Sequence, residues 1–311
     1  MKKLILAVAA VCSAAAFAET KVGIIGCDTS HTLAFTKIMN VDKADFCRDF
    51  RVAVAYQWGS RDIPSCTNRY EKYLVELKGN GVELVSSIAE LLAKCDVVCL
   101  ETCDGREHLA QVEEVFKSGK LVFIDKPIAE DYAHAKAIYE LGKKYGAKYF
   151  SSSALRYPDE VQDLIAGKYG KVTGGDFFSP YEVEPTHGRY SWYAIHGFEP
   201  LVAVMGRGAE SVRTTCVGDS EIVVVRYRDG RLATLRLNRK SWNYGGLVHT
   251  DKGKPVVLPG YQGYECLLKR ILEFFRTGVV PVSNEETLEI FAIMDAAETS
   301  YNLNGVEVRV K

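Results

Sequence analysis

From Lys21 to Phe150 the chain repeats one pattern: a short apolar run, a turn, then an amphipathic stretch. Strands are predicted over Lys21–Gly26, Phe50–Tyr56, Val82–Val85, Asp96–Leu100, Leu121–Ile124 and Ala147–Phe150. Helices are predicted between them over Thr32–Asn40, Cys66–Leu77, Ser87–Ala93, Arg106–Ser118 and Ala129–Tyr145. Strands that alternate with helices call for a parallel sheet, because each helix carries the chain back to the edge where the next strand begins. After Phe150 the pattern changes. Val172–Ser179, Ser211–Val217, Glu221–Arg228 and Arg231–Arg239 read as strands, and Asp229-Gly230 is a hairpin signal between the last two. Helices are predicted over Glu160–Ala166, Ile195–Met205, Tyr264–Arg276 and Glu285–Tyr301. The fold class is therefore α/β: a Rossmann-type parallel domain over residues 19–150, then an α+β domain with a largely antiparallel open sheet over residues 151–311. The last helices can pack back on the first domain.

The chain opens with Met1-Lys2-Lys3, a run from Leu4 to Phe17 broken only by Ser13, and Ala16-Phe17-Ala18. A positive start, a short apolar segment and a small-x-small site predict a signal peptide over residues 1–18 and an exported protein, periplasmic or extracellular. The run is shorter than the roughly 20 residues a membrane helix needs, so no membrane association is expected after cleavage. The net charge is −1, and no dense Lys/Arg cluster argues for nucleic acid as a partner. Of nine cysteines, eight lie beyond Ala18. The domain is large enough to fold without disulfides, and buried free thiols are the expected state. Cys95, Cys99 and Cys103 are spaced by four, but four residues of strand cover roughly 13 Å, too far to share one ion.

Open parallel sheets bind ligands beyond the carboxyl ends of their strands. Three strands deliver polar residues there: Asp28 and His31 after the first; Glu101, Thr102, Asp104 and His108 after the fourth; Asp125, Lys126 and Pro127 after the fifth. These segments, VGIIGCDTSH, ETCDGREH and FKSGKLVFIDKPIAED, together with SALRYPDEV, IAGKYGKV, YAIHGFEPLVAVMG and RTGVVPVSNEETLEIFAIMDAAETS, resemble the glucose–fructose oxidoreductase, inositol dehydrogenase and rhizopine catabolism family (Gfo/Idh/MocA), in an exported branch with an altered glycine motif. The resemblance spans essentially the whole mature chain. It implies an oxidoreductase that uses NAD or NADP on a sugar or cyclitol. It also implies that Lys126 and His196 carry the chemistry. His196 would take the hydroxyl proton, and Lys126 would orient the hydroxyl and stabilise developing negative charge. Cofactor contacts are expected from Gly26, Asp28, Thr29, Ser30, His31, Ser60, Arg61, Thr102, His108, Asp125 and Lys126. Substrate contacts are expected from Arg156, His187, Trp192, Tyr193, His196 and Glu199. A homo-oligomer through the second sheet is possible on the same ground.

The sequence departs from the family in three places. The Gly-x-Gly-x-x-Gly fingerprint keeps only Gly26; Asp28 and His31 replace the other two glycines. A carboxylate about 4 Å from a phosphate costs about 4 kcal/mol at an effective dielectric near 20, which is about a thousandfold in affinity. Asp28 must point away, be neutralised by His31, or see the dinucleotide placed differently or absent. The second strand ends without an acidic residue for ribose hydroxyls, whereas Ser60 and Arg61 suit a 2′-phosphate. Trp192 stands where the family often has Asp, which suggests an aromatic platform for a sugar face. Export adds the need to hold a cofactor permanently, for oxidoreduction between sugars or for glycoside cleavage by transient oxidation. A non-redox carbohydrate-binding protein is a second reading. In a third, Asp28, His31 and His108 hold an ion with His187 or His196, but their spacing matches no metal motif and no metal is expected.

Overall fold

The computed structural model describes residues 19–311; the signal peptide expected over residues 1–18 lies outside the described residues. The first domain runs β1 (Thr20–Ile25), α1 (Ser30–Thr36), β2 (Phe50–Tyr56), α2 (Pro64–Gly79), β3 (Glu83–Val85), α3 (Ile88–Leu92), β4 (Val97–Leu100), α4 (His108–Ser118), β5 (Val122–Ile124), α5 (Tyr132–Tyr145) and β6 (Tyr149–Ser151). Its six strands lie in the order β3-β2-β1-β4-β5-β6, and every pair is parallel. The order reverses between β1 and β4, which opens a crevice at their carboxyl ends. α1 is shorter than the sequence pattern suggested: it passes into a wider π-helical turn over Lys37–Asp42.

The second part comprises α6 (Asp159–Ile165), β7 (Val172–Pro180), α7 (Ile195–Met205), β8 (Ala209–Val217), β9 (Ser220–Tyr227), β10 (Leu232–Asn238), β11 (Gly245–Thr250), β12 (Val256–Leu258), α8 (Glu265–Thr277), α9 (Asn284–Asn302) and β13 (Val308–Arg309). Its sheet has the order β12-β11-β7-β10-β9-β8-β13. All neighbours are antiparallel except β7 and β10. The β9–β10 pair is joined by the expected turn, with Gly230 at φ 87°. Residues alternate inward and outward along β9 and β10. The inner side chains, such as Val223, Val225, Leu235 and Leu237, share a core with α7 and α9.

α8 belongs to the first domain by packing. Its Leu267, Leu268, Ile271, Leu272 and Phe274 are buried against Val22, Phe50, Phe123 and Phe150 of the first sheet. The helix has one strongly apolar stripe, which covers the sheet face that α1 and α2 leave partly open. No helix among the described residues is long and apolar enough to cross a membrane. The eight cysteines among the described residues are unpaired, and Cys103, Cys216 and Cys266 are not fully buried.

Candidate active site

The β1 strand turns at Gly26, whose φ is 91°. A Cβ there would fall against the backbone of Thr102, so the loops after β1 and β4 touch at this glycine. The next residues are set by hydrogen bonds. Asp28 is fully buried. Its Oδ2 accepts the backbone N–H and the hydroxyl of Ser60, each at 2.8 Å, and its Oδ1 accepts Cys103 N–H at 3.0 Å. The carboxylate thus ties together the loops after β1, β2 and β4. Burial pushes its pKa up, and the hydrogen bonds from Ser60 and Cys103 act against that. Of the placements open from the sequence, the structure shows the inward one: Asp28 points away from the crevice surface.

Above this tie lies a cavity of about 460 Å3 between the two domains. Its floor carries Thr29, Ser30, His31, Asp125 and Lys126; its far wall carries Ser153, Trp192, Tyr193 and His196; Trp242, Tyr244, Tyr261 and Tyr264 close it. Tyr193 and Tyr244 share a hydrogen bond between their hydroxyls at 2.8 Å, and the Tyr193 ring meets Trp242 edge-on. Aromatic faces with a few polar groups between them suit the C–H faces and hydroxyls of a sugar ring.

Lys126 follows β5 through a backbone N–H donated to Asp125 Oδ1 at 2.7 Å. Its peptide to Pro127 is cis. The ammonium has no carboxylate partner among the described residues. His196 sits on the first turn of α7, with Nδ1 2.8 Å from Ser153 Oγ. Burial, then the charges of Lys126 and His31, hold its pKa well below 6.5, so the imidazole is neutral. With the proton on Nδ1 donated to Ser153, Nε2 keeps its lone pair. His31 lies at the edge of the floor, stacked on Phe35 and edge-on to Tyr264. Its Nδ1 is 2.9 Å from Asp125 Oδ1 and 3.6 Å from Glu101 Oε2. Burial alone would lower its pKa; the carboxylates of Asp125 and Glu101 outweigh this and raise it to about 10. Burial, then the Asp125 charge, raises Glu101 to about 7.

Several residues expected at the site are elsewhere. His108 sets Nδ1 3.0 Å from Ile128 O and Nε2 2.7 Å from Thr102 O, so it braces two loops from behind. Thr102 donates its hydroxyl to Gln111. Ser60 is buried and its hydroxyl is committed to Asp28, leaving none for a 2′-phosphate. Arg61 is exposed on a second cavity of about 550 Å3 beyond β2, lined also by Tyr56, Trp58 and Tyr70. Arg156 and Glu199 are buried together: Arg156 Nε donates to Glu199 at 2.5 Å and its Nη2 to Glu286. Buried charges need such partners, and this pairing turns both away from the cavity. His187 accepts Gly105 N–H at 3.1 Å behind Trp192. The metal set of Asp28, His31 and His108 is likewise dispersed, because Asp28 and His108 are each spent on backbone groups.

Sequence reasoning missed Arg69. This residue of α2 lines the main cavity, reaches the sulfurs of Cys66 and Cys103 with Nη2, and leaves a buried Nε without a partner. It has no carboxylate partner among the described residues. A guanidinium held only by two sulfurs and facing a cavity beside Ser30 and Ser65 fits a diphosphate, which a bare glycine loop would otherwise hold through its backbone. The two cavities lie on either side of the first turns of α2, where Ser65 and Arg69 face one and Thr67 and Tyr70 the other. The residues present therefore fit a dinucleotide, held by a side chain where the fingerprint uses glycines.

Residues 20–153 match the Gfo/Idh/MocA family, described as an oxidoreductase family with an NAD-binding Rossmann fold. No curated protein matches the sequence. Among solved structures, scyllo-inositol dehydrogenase from Lactobacillus casei, with bound NAD(H) and scyllo-inositol, is 16% identical; the match covers 94% of this chain and 99% of that one, with a TM-score of 0.73. Myo-inositol dehydrogenase from Corynebacterium glutamicum is 15% identical over 94% and 99% of the two chains, with a TM-score of 0.74. At these identities the structures show that the whole fold is shared.

Proposed function

We propose that this chain, whose residues 20–153 belong to the Gfo/Idh/MocA oxidoreductases, oxidises or reduces a secondary hydroxyl of a sugar or cyclitol with a nicotinamide dinucleotide. The observation that carries the reading is that Lys126 and His196, which follow β5 and open α7, line one aromatic cavity together. When bound, the dinucleotide supplies or accepts the hydride. The chain's own residues handle everything else. Neutral His196 takes the hydroxyl proton on Nε2, and Ser153 steadies the imidazolium through Nδ1. Lys126, in no ion pair among the described residues, stabilises the oxygen as it becomes negative. Tyr193, Trp192 and Tyr244 fix the ring and exclude water. Arg69 bears on the diphosphate. Known bound states of similar folds, NAD(H) with scyllo-inositol, support the cyclitol or sugar class.

The mature protein works outside the cytoplasm with its dinucleotide held through the whole cycle, and it pairs through the outer face of the second sheet, where Phe178, Leu247 and Val257 are exposed. Tag-free protein is denatured and the released small molecules are identified by mass spectrometry; turnover is then measured on a panel of inositols and hexoses. Release of NAD(H) or NADP(H), or its binding at micromolar concentration, with turnover of one substrate is the expected result. Sugar binding with no dinucleotide at millimolar concentration establishes the second reading, a carbohydrate-binding protein, which rests on the His31 side chain lining the cavity at a glycine position.

A further inference from the structure

His31, Glu101 and Asp125 come from α1 and from the ends of β4 and β5, and they meet at one point. All three are buried. One nitrogen and one oxygen from each carboxylate lie within 4.8 Å of one another. As an ion pair the arrangement is poor. Both carboxylates crowd the same ring atom, Nδ1, at 2.9 and 3.6 Å, and one N–H cannot serve both. Neither oxygen of Glu101 has any hydrogen-bond partner. A fully buried carboxyl group with no hydrogen-bond partner is unfavourable whether or not it is ionised. Two acidic side chains thus compete for one ring nitrogen.

One divalent cation removes both faults. Two carboxylates balance its charge while the imidazole stays neutral. Ligands about 2.1 Å from an ion in octahedral or tetrahedral array are about 3.0–3.4 Å apart, and the observed 2.9 and 3.6 Å bracket that spacing. One nitrogen with two carboxylate oxygens suits Zn2+, Mn2+ or Fe2+. His31 and Asp125 line the cavity that holds Lys126 and His196. We propose that His31, Glu101 and Asp125 bind one divalent transition-metal ion whose open positions face this cavity and take an oxygen of the substrate. The proposal does not rest on the dinucleotide.

The test is equilibrium dialysis of chelator-stripped, tag-free protein against Zn2+ and against Mn2+, with elemental analysis and the thermal midpoint as readouts. The expected result is one equivalent bound at micromolar concentration or tighter and a raised midpoint. Glu101→Gln keeps the His31–Asp125 contact; it should weaken binding at least tenfold and abolish the metal-dependent rise in midpoint. In a plain ion pair the same variant would be neutral or stabilising, because it removes a surplus buried acid. Glu130→Gln, in the more exposed cluster with Asp131 and His134, should bind as wild type does. No uptake by the wild-type protein at millimolar ion, or equal uptake by Glu101→Gln, overturns the proposal. Should Glu101→Gln not fold, His31→Gln is read by the same dialysis, and the wild-type uptake decides alone.

Discussion

The carboxylate of Asp28 accepts two hydrogen bonds from Ser60, one from its backbone N–H and one from its hydroxyl, both at 2.8 Å. These residues lie beyond the ends of neighbouring strands, and the same carboxylate reaches a third loop at Cys103. A residue at the position of a phosphate-binding glycine has therefore become a structural clamp, with its charge spent inside the protein.

Removing the clamp should loosen all three loops. Asp28→Ala leaves the N–H groups of Ser60 and Cys103 without their acceptor, at about 1–3 kcal/mol for each buried donor. The expected loss is about 2–5 kcal/mol in urea unfolding. An unchanged denaturation midpoint would show that water satisfies these groups and that the clamp is idle.

Lys126→Met and His196→Ala should each lower kcat by roughly a hundredfold to ten-thousandfold, the range for a lost proton-transfer or charge-stabilising group. Dinucleotide binding, followed by fluorescence titration, should stay close to wild type in His196→Ala. Equal losses of cofactor affinity and kcat in that variant would place His196 in a supporting role.

Arg69→Gln removes the charge-assisted bonds assigned to the diphosphate. Such bonds contribute about 1.5–3 kcal/mol, so the dissociation constant of the dinucleotide should rise roughly tenfold to a hundredfold. Sugar affinity should not change. A variant that binds the dinucleotide as wild type does would move the diphosphate elsewhere.

Burial lowers His187 to about 4, against 6.5 for an ordinary histidine; the Asp104 charge acts against this and the Arg106 charge adds to it. The folded protein thus binds this proton less readily than the unfolded chain does. The stability tied to His187 is complete above about pH 6.5 and is lost as pH falls from 6.5 toward 4. Urea midpoints measured across that window should fall, and His187→Gln should flatten the fall if it folds. A midpoint constant down to pH 4 would show that the ring is hydrated.

Glu199→Ala separates a role in the buried Arg156 pair from a role in binding substrate. Its partner Arg156 would keep a buried charge with only Glu286 to meet it, and breaking such a pair costs about 3–5 kcal/mol. The expected signature is lost stability with KM unchanged in whatever protein remains folded. A raised KM at full stability would return Glu199 to the substrate.

The strand–helix alternation made the first domain readable, because each β-α unit is a local pattern. Phe50–Tyr56 and Ile195–Met205 have the expected ends. β11 and β12 were not read: β11 opens on Gly245-Gly246, which breaks the apolar alternation, and β12 has only three residues. The site divides in the same way. Lys126, His196, Trp192 and Tyr193 sit in motifs or beside them and line the cavity. Arg69, Trp242, Tyr244, Tyr261 and Tyr264 reach it from distant parts of the chain, and no local spacing marks them. Glu101 was visible at the sheet edge, but its meeting with His31 depends on how α1 lies across β4. Asp28 and His31 stood out as breaks in a fingerprint; where their side chains turn is a tertiary matter.

The packing of α8 on the first sheet bears on the order in which the molecule can form. Phe50, Phe123 and Phe150 have been synthesised long before Leu267, Ile271 and Phe274, which cover them. Until then the N-terminal half carries an uncovered apolar face, and closing it requires contacts of very large sequence separation, the kind that slows folding. Synthesis order is therefore not folding order in this chain. A fragment ending near residue 153, though it contains every strand of the first sheet, should collapse without cooperativity and aggregate.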